Sequence, residues 1–175
     1  MAAITNVPEV INNFNAYNKG NVLVGVTGSV QLPNFEAITE EISGAGVLGS
    51  YDTAIPGFYS SMAQEVPFRI LDTDIFAIMN PGELVDLTFR ASEQHTVKST
   101  GALDYKGMRV VERGRLKSFS PGKLELGKQM GASVTLELLY ILIEIDGKTK
   151  LEYDKLNSVF VVNGKDLLEK VRAFS

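Results

Sequence analysis

The sequence contains no cysteine, no tryptophan and a single histidine, His95. Without cysteine the chain has no disulfide, no thiolate metal site and no cysteine nucleophile. One histidine also excludes the metal centres that several histidines build together. Protein classes that depend on thiols or on a multi-histidine metal site are therefore ruled out.

Long hydrophobic runs are also missing. The longest apolar-rich segment, Val134–Ile145, is too short to span a bilayer, and the first ten residues lack the basic and apolar regions of a secretory signal. Apolar residues make up 45% of the 175 residues and charged residues 22%, which is typical of a globular protein. We expect a soluble chain without a cleaved signal, folded as one domain over residues 1–175.

Charge is unevenly distributed along the chain. Residues 1–95 hold 11 Asp or Glu against 3 Lys or Arg, whereas residues 96–175 hold 10 against 14. The overall net charge of −4 gives no argument for general nucleic-acid binding. The asymmetry fits an ordinary solvated surface, or an acidic surface and a second surface that meets an acidic neighbour or another copy.

The first regular pattern predicts a β-hairpin. Apolar residues alternate with polar ones over Val22–Leu32, and β-branched residues continue an extended pattern over Phe35–Ile42, beyond a turn at Pro33–Asn34. We expect the two segments to pair. The polar face of this hairpin would carry hydroxyl, amide and carboxylate side chains.

A glycine-containing segment without a sustained period follows at residues 43–66. We interpret it as a long loop at about residues 44–65. A loop of this length gains order only by contact, and its aromatic side chains suit an interface with another chain.

The rest of the chain alternates strands with two short helices. An acidic N-cap at Asp72 and a stop at Asn80–Gly82 predict a helix of two turns, and Lys165–Phe174 predicts an amphipathic C-terminal helix. Asp146–Gly147 favours a two-residue hairpin turn, and residues 120–131 are expected to form a flexible tip. Strands are predicted at residues 68–71, 85–91, 108–119, 134–145, 149–153 and 159–162. The fold class is thus mainly β, an antiparallel sandwich or barrel with one short internal helix and a C-terminal helix.

The predicted strand at 108–119 carries cations at alternate positions. No aromatic platform is interleaved with these cations, so a protein contact is favoured over nucleic-acid binding. The cations are Arg109, Arg113, Arg115 and Lys117.

Two glycine motifs invite a nucleotide-binding interpretation. Gly44–Gly49 matches GxGxxG, and Gly122–Gln129 is one residue short of the phosphate-binding GxxxxGK[ST] pattern. Neither is followed by a predicted helix, and Gln129 lacks the hydroxyl that would ligate magnesium. Both segments are interpreted as glycine-rich bends.

The acid and base side chains are poorly placed for catalysis. His95 has only Glu93 nearby in sequence, and Glu40 and Glu41 point to opposite faces of an extended segment. We therefore predict no enzyme activity, no catalytic residue, no cofactor and no bound metal.

From about Asn12 to Ser175 the chain resembles the major tail tube proteins of contractile-tailed bacteriophages and phage-tail-like bacteriocins. The resemblance rests on the order of several segments. These are NVLVGVTGSVQLPNFEAITEEI, the glycine turn SGAGVLGSYD, the basic strand VVERGRLKSF, the tip SPGKLELGK, the apolar strand ending IEIDGK, and the ending DKLNSVFVVNGKDLLEKVRAFS.

The resemblance implies a structural virion protein. Six copies would complete a β-barrel ring, and stacked rings would form the hollow inner tube of a tail, assembled in the bacterial cytoplasm. The implied partners are the chain itself, a tail sheath protein, a tape-measure protein, and baseplate and tail terminator proteins, with DNA only as passing cargo. An infectious phage and a DNA-free bacteriocin particle remain alternatives.

The resemblance to tail tube proteins implies roles for three groups of residues. The channel-facing group comprises Thr27, Ser29, Gln31, Glu36 and Glu40. The contact between rings is assigned to Tyr51, Asp52, Phe58 and Tyr59 of the long loop. The basic strand, with Arg109, Arg113, Arg115 and Lys117, would meet another subunit or the sheath. The alternatives are an adhesive β-sandwich that uses Tyr51, Phe58 and Tyr59 for a ligand, and a nucleotide-binding enzyme.

Overall fold

The computed structural model describes residues 6–175, which form a mainly antiparallel β structure with two short helices. Residues 1–5, part of the N-terminal stretch judged not to be a signal, lie outside this range. The strands are β1 Asn6–Asn18, β2 Asn21–Val22, β3 Ala37–Ser43, β4 Ser50–Tyr59, β5 Ala63–Phe68, β6 Val85–Val97, β7 Leu103–Ser120, β8 Ala132–Ile145, β9 Lys148–Asp154, β10 Val159–Val162 and β11 Lys165–Asp166. The helices are α1 Thr73–Phe76 and α2 Glu169–Phe174.

Nine strands form one sheet in the order β11-β10-β9-β8-β7-β6-β1-β2, and β5 also pairs with β8. The long strand β8 has room for two neighbours along one edge, because its residues 132–137 pair with β5 and its residues 140–145 pair with β9. The remaining strands, β3 and β4, form a separate two-stranded sheet. Within residues 6–175 the large sheet stays open and does not close into a barrel.

The core lies on one face of the central strands. Alternate residues of β6, including Leu87 and Phe89, point to this face, as do Leu136 and Leu138 of β8. Helix α1 and the segment after it add Ile75 and Ile78, both almost completely buried. Each such side chain contributes about 1.5–3 kcal/mol when transferred from water to the core.

The hairpin predicted between Val22–Leu32 and Phe35–Ile42 is not formed, and this prediction was wrong. The first segment is mostly irregular, with an isolated bridge from Val26 to Phe68, and the second pairs with β4 instead. The alternating valines of the first segment partly cover the core, with Val26 and Val30 packed against it, without forming a ladder. Val22 and Val24 are exposed, whereas Leu23 between them is buried, so the alternation in this segment corresponds neither to a ladder nor to one buried face.

The long loop predicted at 44–65 is also corrected. This region contains the whole of β4 and the start of β5, and the glycines at 44–49 form the turn between β3 and β4. Gly44, Gly46 and Gly49 all have positive φ, which suits a tight reversal. Strand β1 was not foreseen, because Asn6–Asn18 carries few of the alternating apolar residues on which a strand prediction depends.

Both predicted helices exist but are shorter than expected. Asp72 caps α1 by accepting a hydrogen bond from the Thr73 amide at 2.6 Å, and the helix ends at Phe76. Helix α2 begins only at Glu169, because Lys165 and Asp166 pair with β10. The predicted turn at Asp146–Gly147 is confirmed, with both residues at positive φ between β8 and β9. In the described part of the chain no helix is long and apolar enough to cross a membrane.

Candidate assembly surfaces

The β3–β4 hairpin is a largely exposed part of the structure. We define residues 36–59 as the hairpin arm; the Ser60 amide donates to the Glu36 carbonyl at 2.9 Å and closes its base. Most of its residues are exposed on both faces of the two-stranded sheet. The arm contains four carboxylates and no Lys, Arg or His. It is therefore an acidic projection with few contacts to the rest of its own chain.

The base of the arm is anchored by aromatic packing. The ring of Tyr59 lies edge-on to Phe35, Tyr153 and Phe160, with centroid distances of 5.4, 5.2 and 5.6 Å. The Tyr153 hydroxyl donates to the Gly57 carbonyl at 2.9 Å. Tyr59, one of the four residues assigned to the contact between rings, thus serves inside the chain as part of the anchor.

The other three residues of that group lie on the accessible part of the arm. Tyr51, Asp52 and Phe58 are all exposed, and Tyr51 and Phe58 leave more than half of their surfaces in solvent. Exposed aromatic residues are enriched at protein interfaces. This placement is what an intermolecular contact requires.

A second candidate surface is the outer edge of β1. Strand β2 pairs with β1 only at Tyr17 and Asn18, so from Asn6 to Asn15 this edge has no neighbouring strand in the described part of the chain. Val10 and Ile11 are both about half exposed there. An edge of this length offers backbone donors and acceptors to a strand of another molecule.

The basic strand is largely neutralised within its own sheet. One of its cations, Arg113, places its guanidinium 4.8 Å from the centre of the Tyr140 ring. Three of the four predicted cations form cross-strand ion pairs: Arg109 with Glu144 at 2.6 Å, Arg113 with Asp86 at 2.9 Å and Lys117 with Glu137 at 2.9 Å. Only Arg115 lacks an acidic partner among residues 6–175.

These ion pairs shift the titration of their members. Partial burial raises the pKa of Glu137, but hydrogen bonds from Ser61 and Lys117 outweigh it, and the net pKa lies below the ordinary value. The hydrogen bond to Glu144 raises the pKa of Arg109. This face of the sheet is therefore a mixed-charge ladder, and it does not present the bare row of cations that the sequence pattern indicated.

The residues assigned to the channel do not share one strand face. Thr27, Ser29 and Gln31 lie in the irregular segment before β3, where the Thr27 hydroxyl donates to the Ser29 carbonyl at 2.9 Å. Glu36 and Glu40 lie on the hairpin arm. The sequence placed these residues together on the polar face of a predicted hairpin, and that hairpin is not formed. Their position relative to a channel stays a prediction.

Sequence reasoning missed one unusual side chain, Glu112 on β7. It is fully buried on the core face between Leu87 and Ile141 of the neighbouring strands, and neither carboxylate oxygen has a hydrogen-bond partner among the described residues. Burial raises its pKa to about 8. The sequence signal that could have identified its burial is its spacing: Glu112 lies two residues after Val110, on the same face of β7.

The two glycine motifs occupy turns. Gly44–Gly49 joins two antiparallel strands of the arm, and Gly122–Gln129 lies in the connection between β7 and β8. A strand follows each of them where a nucleotide-binding motif requires a helix N-terminus. His95 is buried beside Glu93, with 3.2 Å between Nε2 and the carboxylate. Residues 6–175 contain no group of three or more His, Cys, Asp or Glu placed to hold a metal ion.

Comparison with known proteins agrees with a structural role. The family model of phage tail tube protein FII matches residues 8–174. The tail tube protein of Escherichia phage P2 is 26% identical over 167 residues, which cover 95% of this chain and 96% of that protein. The major tail tube protein of Serratia phage KSP20 is 25% identical over 168 residues, covering 92% and 91%. The resemblance to tail tube proteins is thereby confirmed, and the chain belongs to the phage tail tube protein FII family.

Proposed function

We propose that six copies of this chain form a ring and that the rings stack into the hollow inner tube of a contractile phage tail. The observation that carries the proposal is the unpaired outer edge of β1 from Asn6 to Asn15. A free edge in a monomer is an aggregation hazard. In a closed ring, the backbone donors and acceptors of this edge are paired with a neighbouring copy in every subunit. Six is the number that the tail tube resemblance implies.

Contact between rings is assigned to the hairpin arm, which replaces the long loop first inferred for this role. A two-stranded sheet exposed on both faces is marginally stable alone. Packing against a neighbouring ring would cover Tyr51, Asp52 and Phe58 and stabilise the arm. A contact between two different surfaces does not close on itself, so it extends the stack into a filament.

The channel wall is proposed to carry hydroxyl, amide and acidic side chains. Thr27, Ser29, Gln31, Glu36 and Glu40 stay the candidates for this wall. Repeated in every ring, such side chains repel the phosphate backbone and offer DNA no cationic sites that would slow its passage.

The ion-paired cations of β7 are assigned to a contact with another subunit or with the sheath.

The finished tube would be part of the virion tail, assembled in the cytoplasm of the bacterial host. Its further partners would be a sheath protein that contracts around it, a tape-measure protein, and baseplate and terminator proteins at its ends. DNA would pass through it as cargo, or the tube would act as a piercing channel in a particle without DNA.

Electron microscopy and native mass measurement of the purified protein test this proposal. Six copies of the 19.1 kDa chain give a ring of about 115 kDa, and stacked rings give hollow rods. A stable monomer or dimer under all polymerising conditions would contradict the proposal. Thermal stabilisation by a nucleotide with magnesium would point to the enzyme alternative instead.

A further inference from the structure

The hairpin arm carries an internal electrostatic conflict. Glu41 lies directly opposite Asp52 in the β3–β4 register, and both side chains are exposed. Like charges at directly opposed positions of antiparallel strands destabilise the pair. No cation relieves this repulsion within the arm, because the chain has no Lys, Arg or His between Lys19 and Arg69.

Lysines without an ion pair in the described part of the chain lie at one end of the large sheet, whereas lysines at the other end, such as Lys117 and Lys155, are paired. The turns between β6 and β7, β8 and β9, and β10 and β11 all lie at the first of these ends, because these strands run alternately up and down. The Asp146 amide donates to the Gly107 carbonyl at 2.8 Å, and the Asn163 amide donates to the Lys150 carbonyl at 2.8 Å. The three turns are therefore staggered, and the β6–β7 hairpin extends beyond the other two. We name the lysines in these turns and on the adjoining strand ends the lysine end: Lys98, Lys106, Lys148, Lys150 and Lys165.

The lysine end is as incompletely paired as the arm. None of its five cations forms an ion pair with a described residue. Most acids nearby already have other partners: Asp104 accepts a hydrogen bond from the Asn6 side chain at 3.0 Å, Glu144 pairs with Arg109, and Asp166 pairs with Arg172. Glu93 lies opposite Lys106 in the β6–β7 register but contacts His95, and Asp146 is exposed in its turn. All of the lysines except the half-buried Lys106 are exposed.

We propose that the hairpin arm of one copy docks on the lysine end of a second copy, with Glu41 and Asp52 placed against lysines such as Lys148 and Lys150. The inference rests on the proposed function, since it specifies the surface that the arm meets in the neighbouring ring. Within one chain the two surfaces form no ion pair, so each is free to pair with another copy. Their complementary charges steer the approach and set the register of the contact.

Charge reversal tests the contact from both sides. The first variant carries Glu41→Lys with Asp52→Lys, and the second carries Lys148→Glu with Lys150→Glu. Each variant alone should still form rings but should need about tenfold or more protein to form tubes, because like charges then face each other. Lys170→Glu reverses one exposed lysine outside the lysine end that forms no ion pair within residues 6–175; it is the control and should leave tube formation unchanged.

Mixing the two variants provides the decisive measurement. The basic arm of the first variant then faces the acidic end of the second, and the acidic arm of the second faces the lysine end of the first. Opposite charges therefore meet at every contact, and mixed tubes should form at wild-type concentrations. The chain that combines all four substitutions should behave in the same way. Circular dichroism and ring size establish that each variant is folded before tubes are counted.

The outcomes separate this inference from the function on which it rests. If wild-type tubes form and neither single-sided variant impairs them, or if mixing folded variants fails to restore tubes, the docking contact is wrong and the tube function stands. If the wild type forms neither rings nor tubes, the proposed function fails, and the docking contact fails with it. Restoration by mixing, with an inert control, confirms the contact.

Discussion

Gly57 lies against Leu168 so closely that a Cβ atom at position 57 would be 2.6 Å from the Leu168 Cδ1 atom. Leu168 is itself buried at the start of the C-terminal helix. This contact, together with the hydrogen bond from Tyr153 to the Gly57 carbonyl, holds the base of the hairpin arm against the large sheet. The close approach at Gly57 thus helps to position the exposed arm, together with the aromatic packing of Tyr59.

Gly57→Ala should therefore destabilise the protein by about 1–3 kcal/mol. The added methyl group clashes with Leu168, and the φ of +80° at this position is unfavourable for alanine. Urea unfolding followed by circular dichroism measures the change. Gly28→Ala is the control, since its Cβ would meet nothing within 4 Å and its φ is ordinary; equal stability of the two variants would contradict the argument.

Gly114→Ala should weaken the centre of the large sheet. A Cβ at Gly114 would lie 2.4 Å from the Glu137 carbonyl oxygen of β8, and backbone cannot move aside as a side chain can. We expect a loss of about 1–3 kcal/mol in the free energy of unfolding. Gly107→Ala on the same strand meets no atom within 4 Å and should be close to neutral, so a similar loss there would show that the close approach is not the cause.

The buried Glu112 predicts a particular dependence of stability on pH. Its pKa is about 8 in the folded protein against an ordinary value of 4.5. Protonation is required for the buried state, so its contribution to stability is complete below pH 4.5 and is lost as the pH rises towards 8. Between these values the free energy of unfolding should fall by at most about 1.4 kcal/mol per pH unit.

Glu112→Gln should remove this fall and make the protein more stable than the wild type at pH 8, because the amide stays neutral. The measurement is a series of urea titrations from pH 4.5 to 8. Glu65→Gln, on an exposed side chain, should retain the wild-type profile. Identical profiles for the wild type and Glu112→Gln would show that the carboxylate does not titrate in this range.

Gln31→Lys combined with Glu36→Lys tests the assignment of the channel. Rings and tubes should still form, but DNA ejection from particles should slow, because the added cations bind the passing phosphate backbone. The same charge change at the exposed positions Gln129→Lys and Glu65→Lys should not slow ejection. Normal ejection from particles that carry the first pair would show that these residues do not face the channel.

Local sequence patterns were sufficient for the elements whose partners are adjacent in the chain. The β8–β9 hairpin follows from two apolar runs joined by Asp146–Gly147, and the start of α1 follows from the acidic cap at Asp72. In each case the chemistry that specifies the element lies within a few residues. The order of such segments was also enough to indicate a tail tube protein.

Pairing between distant segments could not be inferred in the same way. Val22–Leu32 has the alternation of a strand but is mostly irregular chain, whereas Asn6–Asn18 lacks that alternation and pairs with β6, whose partner residues lie 69 to 91 positions away. Folding likewise paired Arg109, Arg113 and Lys117 with acids on neighbouring strands and buried Glu112. Composition and local pattern settled the β class and the family; the free β1 edge, the acidic arm and the lysine end emerged only on folding, because backbone pairing and charge proximity depend on long-range register.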